Sequence, residues 1–254
     1  VFSDIQKMLY RKEAKNDNDI PDSLLKRYQH CPAYYLKNYH HQTDGYLSEA
    51  SARRYDFQYE IVFLGLGETA RTVACSQLLR FLNNKKHYSM LELGSGTGNF
   101  GAIMQDYYPQ SDILITDPSI DYLNHARRKF PHLNIRHQTT FAENLSFVRD
   151  TSYDVIFSSF VFHEIPQEYI SQAFTEIKRC LKSGGYVLML DSSQDHDGEE
   201  NLFAIDQFAE SFHEPYFDAY RKSPLENHFA QQGIAVVYSQ MILFSKLLIG
   251  RVDA

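Results

Sequence analysis

Leu91-Glu92-Leu93-Gly94-Ser95-Gly96-Thr97-Gly98-Asn99-Phe100 joins an apolar strand end, an acid and three alternating glycines. Glycine at these places lets the backbone turn tightly and lets a ligand approach the main chain, because no Cβ stands in the way. A helix from Asn99 to about Tyr107 would point its N-terminal amides at the bound group. A dinucleotide fingerprint, G-x-G-x-x-G counted from Gly94, would need glycine where Asn99 stands. The run is spelled E-x-G-x-G-x-G instead. A glycine-rich turn with no ligand is the plain alternative.

Downstream, Ile113-Leu114-Ile115-Thr116-Asp117 reads as a second buried strand ending in an acid. A carboxylate there can accept hydrogen bonds from two vicinal ribose hydroxyls, in a dinucleotide site as well as in other nucleoside sites. Asp117 would otherwise be a helix cap or turn acid before Pro118. Then come Phe141-Ala142-Glu143-Asn144-Leu145-Ser146-Phe147, Tyr153-Asp154-Val155-Ile156-Phe157-Ser158-Ser159, Phe162-His163-Glu164 and Arg179-Cys180-Leu181-Lys182-Ser183-Gly184-Gly185.

These blocks, in this order after the glycine run, resemble those of class I S-adenosylmethionine (SAM) methyltransferases. The likeness covers about residues 88–191 and is nearest in flavour to the small-molecule, quinone-biosynthesis-like group. The resemblance implies SAM as cofactor, with Glu92, Gly94, Ser95, Gly96, Gly98, Asp117, Pro118, Phe141, Ala142, Glu143 and Ser158 about it. One departure concerns adenine. The family's usual aspartate before Ala-Glu is Phe141 here, which cannot accept a bond from the adenine amino group. The Ala142 backbone or a Glu143 oxygen would take that role, with Phe141 against the purine face.

Composition sets wider bounds. The 254 residues suit one α/β domain plus an accessory segment. A net charge of −7 argues against a general nucleic-acid binder. Cys31, Cys75 and Cys180 are odd in number and widely spaced, so neither a disulfide framework nor a zinc site is indicated. A reducing, cytoplasmic setting is expected, and no apolar run is long enough to span a membrane.

The expected fold is α/β, a doubly wound seven-stranded, mostly parallel sheet of the Rossmann-like methyltransferase type. Residues 1–82 form a helical and aromatic N-terminal lid, with helices at 51–64 and 67–82. Residues 83–254 form the core, with strands at 89–93, 112–117, 133–137, 153–159 and 185–191 and helices at 99–107, 119–129 and 166–180. Strands near 234–238 and 241–248 close the sheet as an antiparallel hairpin. A helical insertion, 192–232, precedes them; the resemblance implies that it caps the acceptor, and helices packing their aromatics into the sheet are the alternative. Such alternation implies right-handed crossovers and a ligand site beyond the carboxyl ends of the strands.

The expected acceptor is a small molecule, aromatic or apolar, methylated at oxygen, nitrogen or carbon. Tyr39, His40, Tyr46, Phe160, Phe212 and Tyr216 are candidates for its pocket. His163, after strand four, is the candidate base, and a structural histidine bonding a backbone carbonyl is the competing reading. Glu164 reads as a surface or helix-cap acid. Ser158-Ser159-Phe160-Val161 lacks the Asn/Asp-Pro-Pro-Tyr/Phe run of amino-directed nucleic-acid enzymes. Asp191, Asp195 and Asp197, with His196 and Gly198, read as a polar loop, so no metal is expected. A non-catalytic SAM-binding regulatory partner and a protein methyltransferase are the alternative functions.

Overall fold

The computed structural model describes residues 6–7, 9–11, 13, 19–82, 85–198, 202–203, 205–207 and 213–253. Seven strands form one sheet: β1 (Ser89–Leu93), β2 (Asp112–Asp117), β3 (Ile135–Thr139), β4 (Tyr153–Ser159), β5 (Leu181–Ser192), β6 (Ile234–Ile242) and β7 (Ser245–Val252). Their order is β3-β2-β1-β4-β5-β7-β6. The first five run parallel, and β7 is antiparallel to both β5 and β6. The helices are α1 (Asp22–Arg27), α2 (Glu49–Val62), α3 (Gly67–Leu78), α4 (Asn99–Tyr107), α5 (Ile120–Lys129), α6 (Gln167–Cys180), α7 (Phe217–Arg221) and α8 (Leu225–Gln231).

The period-2 geometry of the strands sends alternate side chains to two apolar layers. Leu91, Leu93, Leu114 and Ile156 face one layer, which takes Ile170, Phe174 and Ile177 from α6. That layer also holds Tyr28, Tyr34, Tyr35, Tyr39 and Tyr46 of the N-terminal segment. Met90, Ile113, Ile115, Val155 and Phe157 face the other layer, against Ala70, Ala74, Cys75 and Leu78 of α3 and Phe100 and Met104 of α4. Helix α3 thus packs on the sheet itself, although the sequence groups it with the lid. Cys31, Cys75 and Cys180 are all buried and free.

Several boundaries differ from the sequence reading. Helix α3 stops at Leu78 rather than 82, where Arg80 and Phe81 amides turn back to Gln77 and Leu78 carbonyls. Strand β3 begins at Ile135, because residues 131–134 after Pro131 are taken up by a turn in which the Leu133 amide donates to the Phe130 carbonyl. Strand β5 begins at Leu181, which pairs with Tyr153 before a register shift, and Gly184 carries the chain through φ +72°. In the insertion, α7 and α8 bear out helix, burying Phe217, Tyr220 and Phe229. Phe208 and Phe212 lie outside the described residues. Among the described residues no helix is long and apolar enough to cross a membrane.

Arg179 explains why its block spells as it does. Its guanidinium donates to the carbonyls of Leu145 and Val148 and to the carboxylates of Glu176 and Asp150. It therefore holds the chain between β3 and β4 in place under α6. Such planar, multi-donor contacts suit arginine and not lysine.

Candidate functional site

The glycine run leaves β1 at the point where the strand order reverses, between β2 and β4. Gly94, Gly96 and Gly98 have φ of +61°, +53° and +81°. Each therefore occupies backbone space that side chains avoid. A Cβ on Gly94 would lie 2.5 Å from Val161, and one on Gly98 would lie 2.9 Å from Ala126, so these two permit close packing. A Cβ on Gly96 would meet only Tyr55, at 3.7 Å, and would project into the cleft. Gly96 is the one whose open side faces the cleft.

The loop is tied to the end of β2. The Ser95 amide donates to the Thr116 carbonyl at 2.8 Å, and the Gly96 amide to Asp117 Oδ2 at 2.8 Å. Asp117 Oδ1 accepts from the Ser119 amide at 2.8 Å. Burial pushes the Asp117 carboxyl up to about 6, while the two amides and the Tyr35 hydroxyl work against that rise. Asp117 lines the cleft, and a carboxylate there can accept from a ribose diol. Asn99 also finds a role: its amide group donates to Asp56 of α2 at 2.9 Å and accepts from Lys129 at 2.5 Å.

The cleft beside the loop is lined by Gly94, Gly96, Asp117, Pro118, Ala142 and Phe160, and on its outer side by Tyr39, Tyr46 and other tyrosines. With those tyrosines in place its volume is about 80 Å³. Glu92, Ser95, Gly98, Phe141, Glu143 and Ser158 do not line it, for identifiable reasons. Glu92 is buried beneath the loop, where Oε2 faces Gly101 of α4 so closely that a Cβ there would lie 2.7 Å away. Burial drives its carboxyl well above the usual range, opposed by Arg71. Ser95 and Ser158 are buried with hydroxyls that have no partner among the described residues. Gly98 starts α4. Phe141 meets Tyr35 edge-on at 5.8 Å, and Glu143 Oε1 accepts from the Tyr34 hydroxyl at 2.7 Å. Tyr216 stacks its edge on Tyr34 and lines neither this cleft nor the cavity beside it.

That second cavity, about 600 Å³, contains His40, His163 and Glu164 at its polar end and Ile61, Phe63 and Phe217 along its apolar walls. Tyr55, Phe160 and Glu164 line both spaces. After β4 the chain turns through Phe160 at φ +57° into a single helical turn, Phe162–Glu164. Asp191, near the end of the neighbouring β5, pins that turn. Its Oδ2 accepts from the Val161 and Phe162 amides at 3.1 and 2.8 Å, and its Oδ1 accepts from the Ser192 amide and lies 2.6 Å from His163 Nδ1. Burial opposes charge on His163, but the Asp191 carboxylate, with Glu214 and Glu164 behind it, outweighs that and raises the imidazole to about 9.

Asp191 is therefore a buried partner of His163 and not part of a polar loop. Its place at the strand end beside β4 was the available signal. Glu164 is likewise not a surface acid: its Oε1 accepts from the Tyr46 hydroxyl at 2.5 Å, and its backbone carbonyl accepts from Tyr39 at 3.0 Å. Tyr39 and Tyr46 stack at 5.3 Å, closing the N-terminal segment over this corner.

A glycine loop at the switch point of a doubly wound sheet, with an acid at the next strand end, defines a nucleoside-binding α/β domain. Residues 90–185 match the family model described as a methyltransferase domain. A demethylmenaquinone methyltransferase of Chlorobaculum tepidum is 30% identical over 140 residues, 55% of this chain and 55% of that protein. The chain thus spans about half the length of the curated relatives it matches first. The fold is shared with the CurJ carbon methyltransferase (TM-score 0.61, 15% identity, 91% of this chain and 70% of that one). It is shared too with a SAM-dependent methyltransferase from Aquifex aeolicus (TM-score 0.58, 15% identity, 81% and 98%). Residues 90–185 are thus similar to a methyltransferase domain, on the fold of SAM-dependent methyltransferases. The open face of Gly96 and the Asp117 carboxylate lining the cleft fit SAM as the cofactor of such a domain.

Proposed function

We propose that this chain methylates a small, aromatic or apolar acceptor held in the 600 Å³ cavity. The observation that carries this reading is the shared wall: Tyr55, Phe160 and Glu164 border both the cofactor cleft and the cavity. An acceptor atom at that junction would stand beside the cofactor with the apolar walls excluding water. Bound SAM supplies an electrophilic methyl group on a positively charged sulfur. The protein's part is to line up donor and acceptor, an effect worth about 7–11 kcal/mol in favourable cases.

Gly94, Gly96, Asp117, Pro118 and Ala142 would hold the cofactor. His163 is the group placed to orient the acceptor, because Asp191 holds Nδ1 and the ring lines the cavity with Nε2 4.0 Å from Glu164 Oε1. It would take the acceptor's proton only as the neighbouring sulfonium charge draws its raised imidazole back down. Asp191 is then a positioning residue. The 80 Å³ cleft is too small for an adenosyl group, so the 34–46 segment acts as a lid that shifts on cofactor entry. Relatives named for demethylmenaquinone, and a neighbour named a carbon methyltransferase, favour carbon as the reacting atom.

Incubation of the protein with isotope-labelled SAM and a cell metabolite extract tests the proposal. A labelled small molecule is expected. Tight SAM binding with no labelled product from metabolites or proteins would leave a non-catalytic SAM-binding partner as the reading, and a labelled protein would make the chain a protein methyltransferase.

A further inference from the structure

We propose that His40, Glu164 and Glu214 form a divalent-cation site where the cofactor cleft meets the acceptor cavity. The three come from the N-terminal lid, the turn after β4 and the insertion, and one ligand atom from each lies within 4.8 Å of the others. His40 Nδ1 stands 3.1 Å from Glu214 Oε1, and His40 Nε2 stands 3.4 Å from Glu164 Oε1.

Glu214 supplies the independent observation. Its side chain is 1% exposed, and among the described residues neither carboxylate oxygen has a hydrogen-bond donor. A buried carboxylate in that condition is unfavourable unless something cationic meets it. A protonated His40 bridging the two acids is the simplest candidate, yet the 3.1 Å contact to Glu214 does not have the geometry of a hydrogen bond. Two ligands at right angles around one cation, each about 2.1 Å from it, stand about 3 Å apart with the imidazole lone pair aimed at the ion. The observed separation fits two ligands sharing an ion.

The other histidine–acid cluster among the described residues, His196, Asp197 and Glu226, is different in kind. Lys246 Nζ lies 2.5 Å from both of its acids and already balances them. At Glu214 the facing basic group is His40, itself a ligand of the proposed site. One imidazole nitrogen and two carboxylate oxygens suit Mn²⁺, Fe²⁺ or Zn²⁺. Because His40 and Glu164 line the cavity, the open coordination positions would take an oxygen atom of the acceptor. That use of the ion rests on the proposed function; the ion site itself does not.

The full chain, stripped by a chelator, is titrated with Mn²⁺ without SAM or acceptor, following the free-ion paramagnetic resonance signal. One ion per chain is expected, displaced by Zn²⁺, with affinity lowered about 10–100-fold or more in Glu214→Gln and in His40→Ala. Pulsed resonance on the unaltered chain should show one coordinated imidazole nitrogen, a readout that stands if a variant fails to fold. No binding up to millimolar Mn²⁺ or Zn²⁺, a bound ion without imidazole nitrogen, or affinity untouched by either substitution in folded protein overturns the site. An ion bound here by a protein that transfers no methyl group would support the site and count against the proposed function. Methyl transfer with no ion bound would do the reverse.

Discussion

The cleft at the glycine loop and the 600 Å³ cavity beside it share a wall but are built by different means. The cleft is made from successive strand ends, and its key bonds are backbone ones: Ser95 to Thr116, Gly96 to Asp117 and Ser119 to Asp117. The cavity is assembled from α2, the turn after β4, the end of β5, the insertion and the β6–β7 turn. Its polar contacts run between side chains far apart in the chain, such as His163 with Asp191 and Tyr46 with Glu164. A site read by backbone geometry leaves a spelling in the sequence, because only glycine tolerates the dihedrals it demands. A site read by side chains leaves only residue types scattered along the chain. The family match, residues 90–185, accordingly covers the strand-end residues of the cleft but only Phe160, His163 and Glu164 of the cavity lining.

The sharpest way to break this contrast is Gly96→Val. Valine at φ +53° is strained and projects into the cleft, so SAM binding should become undetectable by calorimetry while the fold survives with a modest loss of melting temperature. Retained binding would show that the glycine loop does not cradle the cofactor.

His163→Ala probes the opposite wall. It should lower turnover by about 10²–10⁴-fold, the range of general acid–base contributions, and leave SAM affinity nearly unchanged. Asp191→Asn should follow it in direction, since an amide can no longer fix the ring through Nδ1–H. Loss of thermal stability with full activity per folded molecule would make His163 structural.

Asp117→Ala should weaken SAM binding by about 1.5–3 kcal/mol, the scale of hydrogen bonds to a charged group. The pH dependence follows from the raised carboxyl. Ribose hydroxyls donate to the ionised form, so affinity should hold above about pH 6 and fall as the pH drops through that value. Asp117→Asn should flatten the profile, and an unaltered slope would place the ribose elsewhere.

The smallest expected effect is one of dynamics. Hydrogen exchange in residues 34–46 and 213–232 should slow when SAM and acceptor bind, because closure over the methyl group must exclude water. If neither segment responds to either ligand, the tyrosine cover is scaffold and not lid.

Much of the fold was legible because its signals are local. Alternation of apolar strands with helices found all seven strands, with the last one, expected at 241–248, lying at Ser245–Val252 because β6 runs on to Ile242. The E-x-G-x-G-x-G spelling found the turn at the strand-order switch. Boundaries failed where a tertiary contact moved them, as when Leu181 pairs with Tyr153 and starts β5 early. Gly94, Gly96, Asp117, Pro118 and Ala142 line one cleft, whereas Glu92 turns its carboxylate under α4. The motif acid and its glycines are neighbours in sequence, but which side of the loop the acid faces is set by strand alternation and helix packing.

The sequence alone determined the parts that depend on a residue's own backbone: the positive-φ turn, the acid closing β2, the Asn99 that departs from a dinucleotide fingerprint. Tertiary structure alone decided which distant polar groups meet. Pairing of Ser159 with Leu190 across β4 and β5 brings Asp191 against the turn holding His163. The His40 amide bond to the His213 carbonyl brings lid and insertion together, and with them Glu214. No local pattern encodes such meetings, because sheet register and loop docking are settled by the packing of the whole chain.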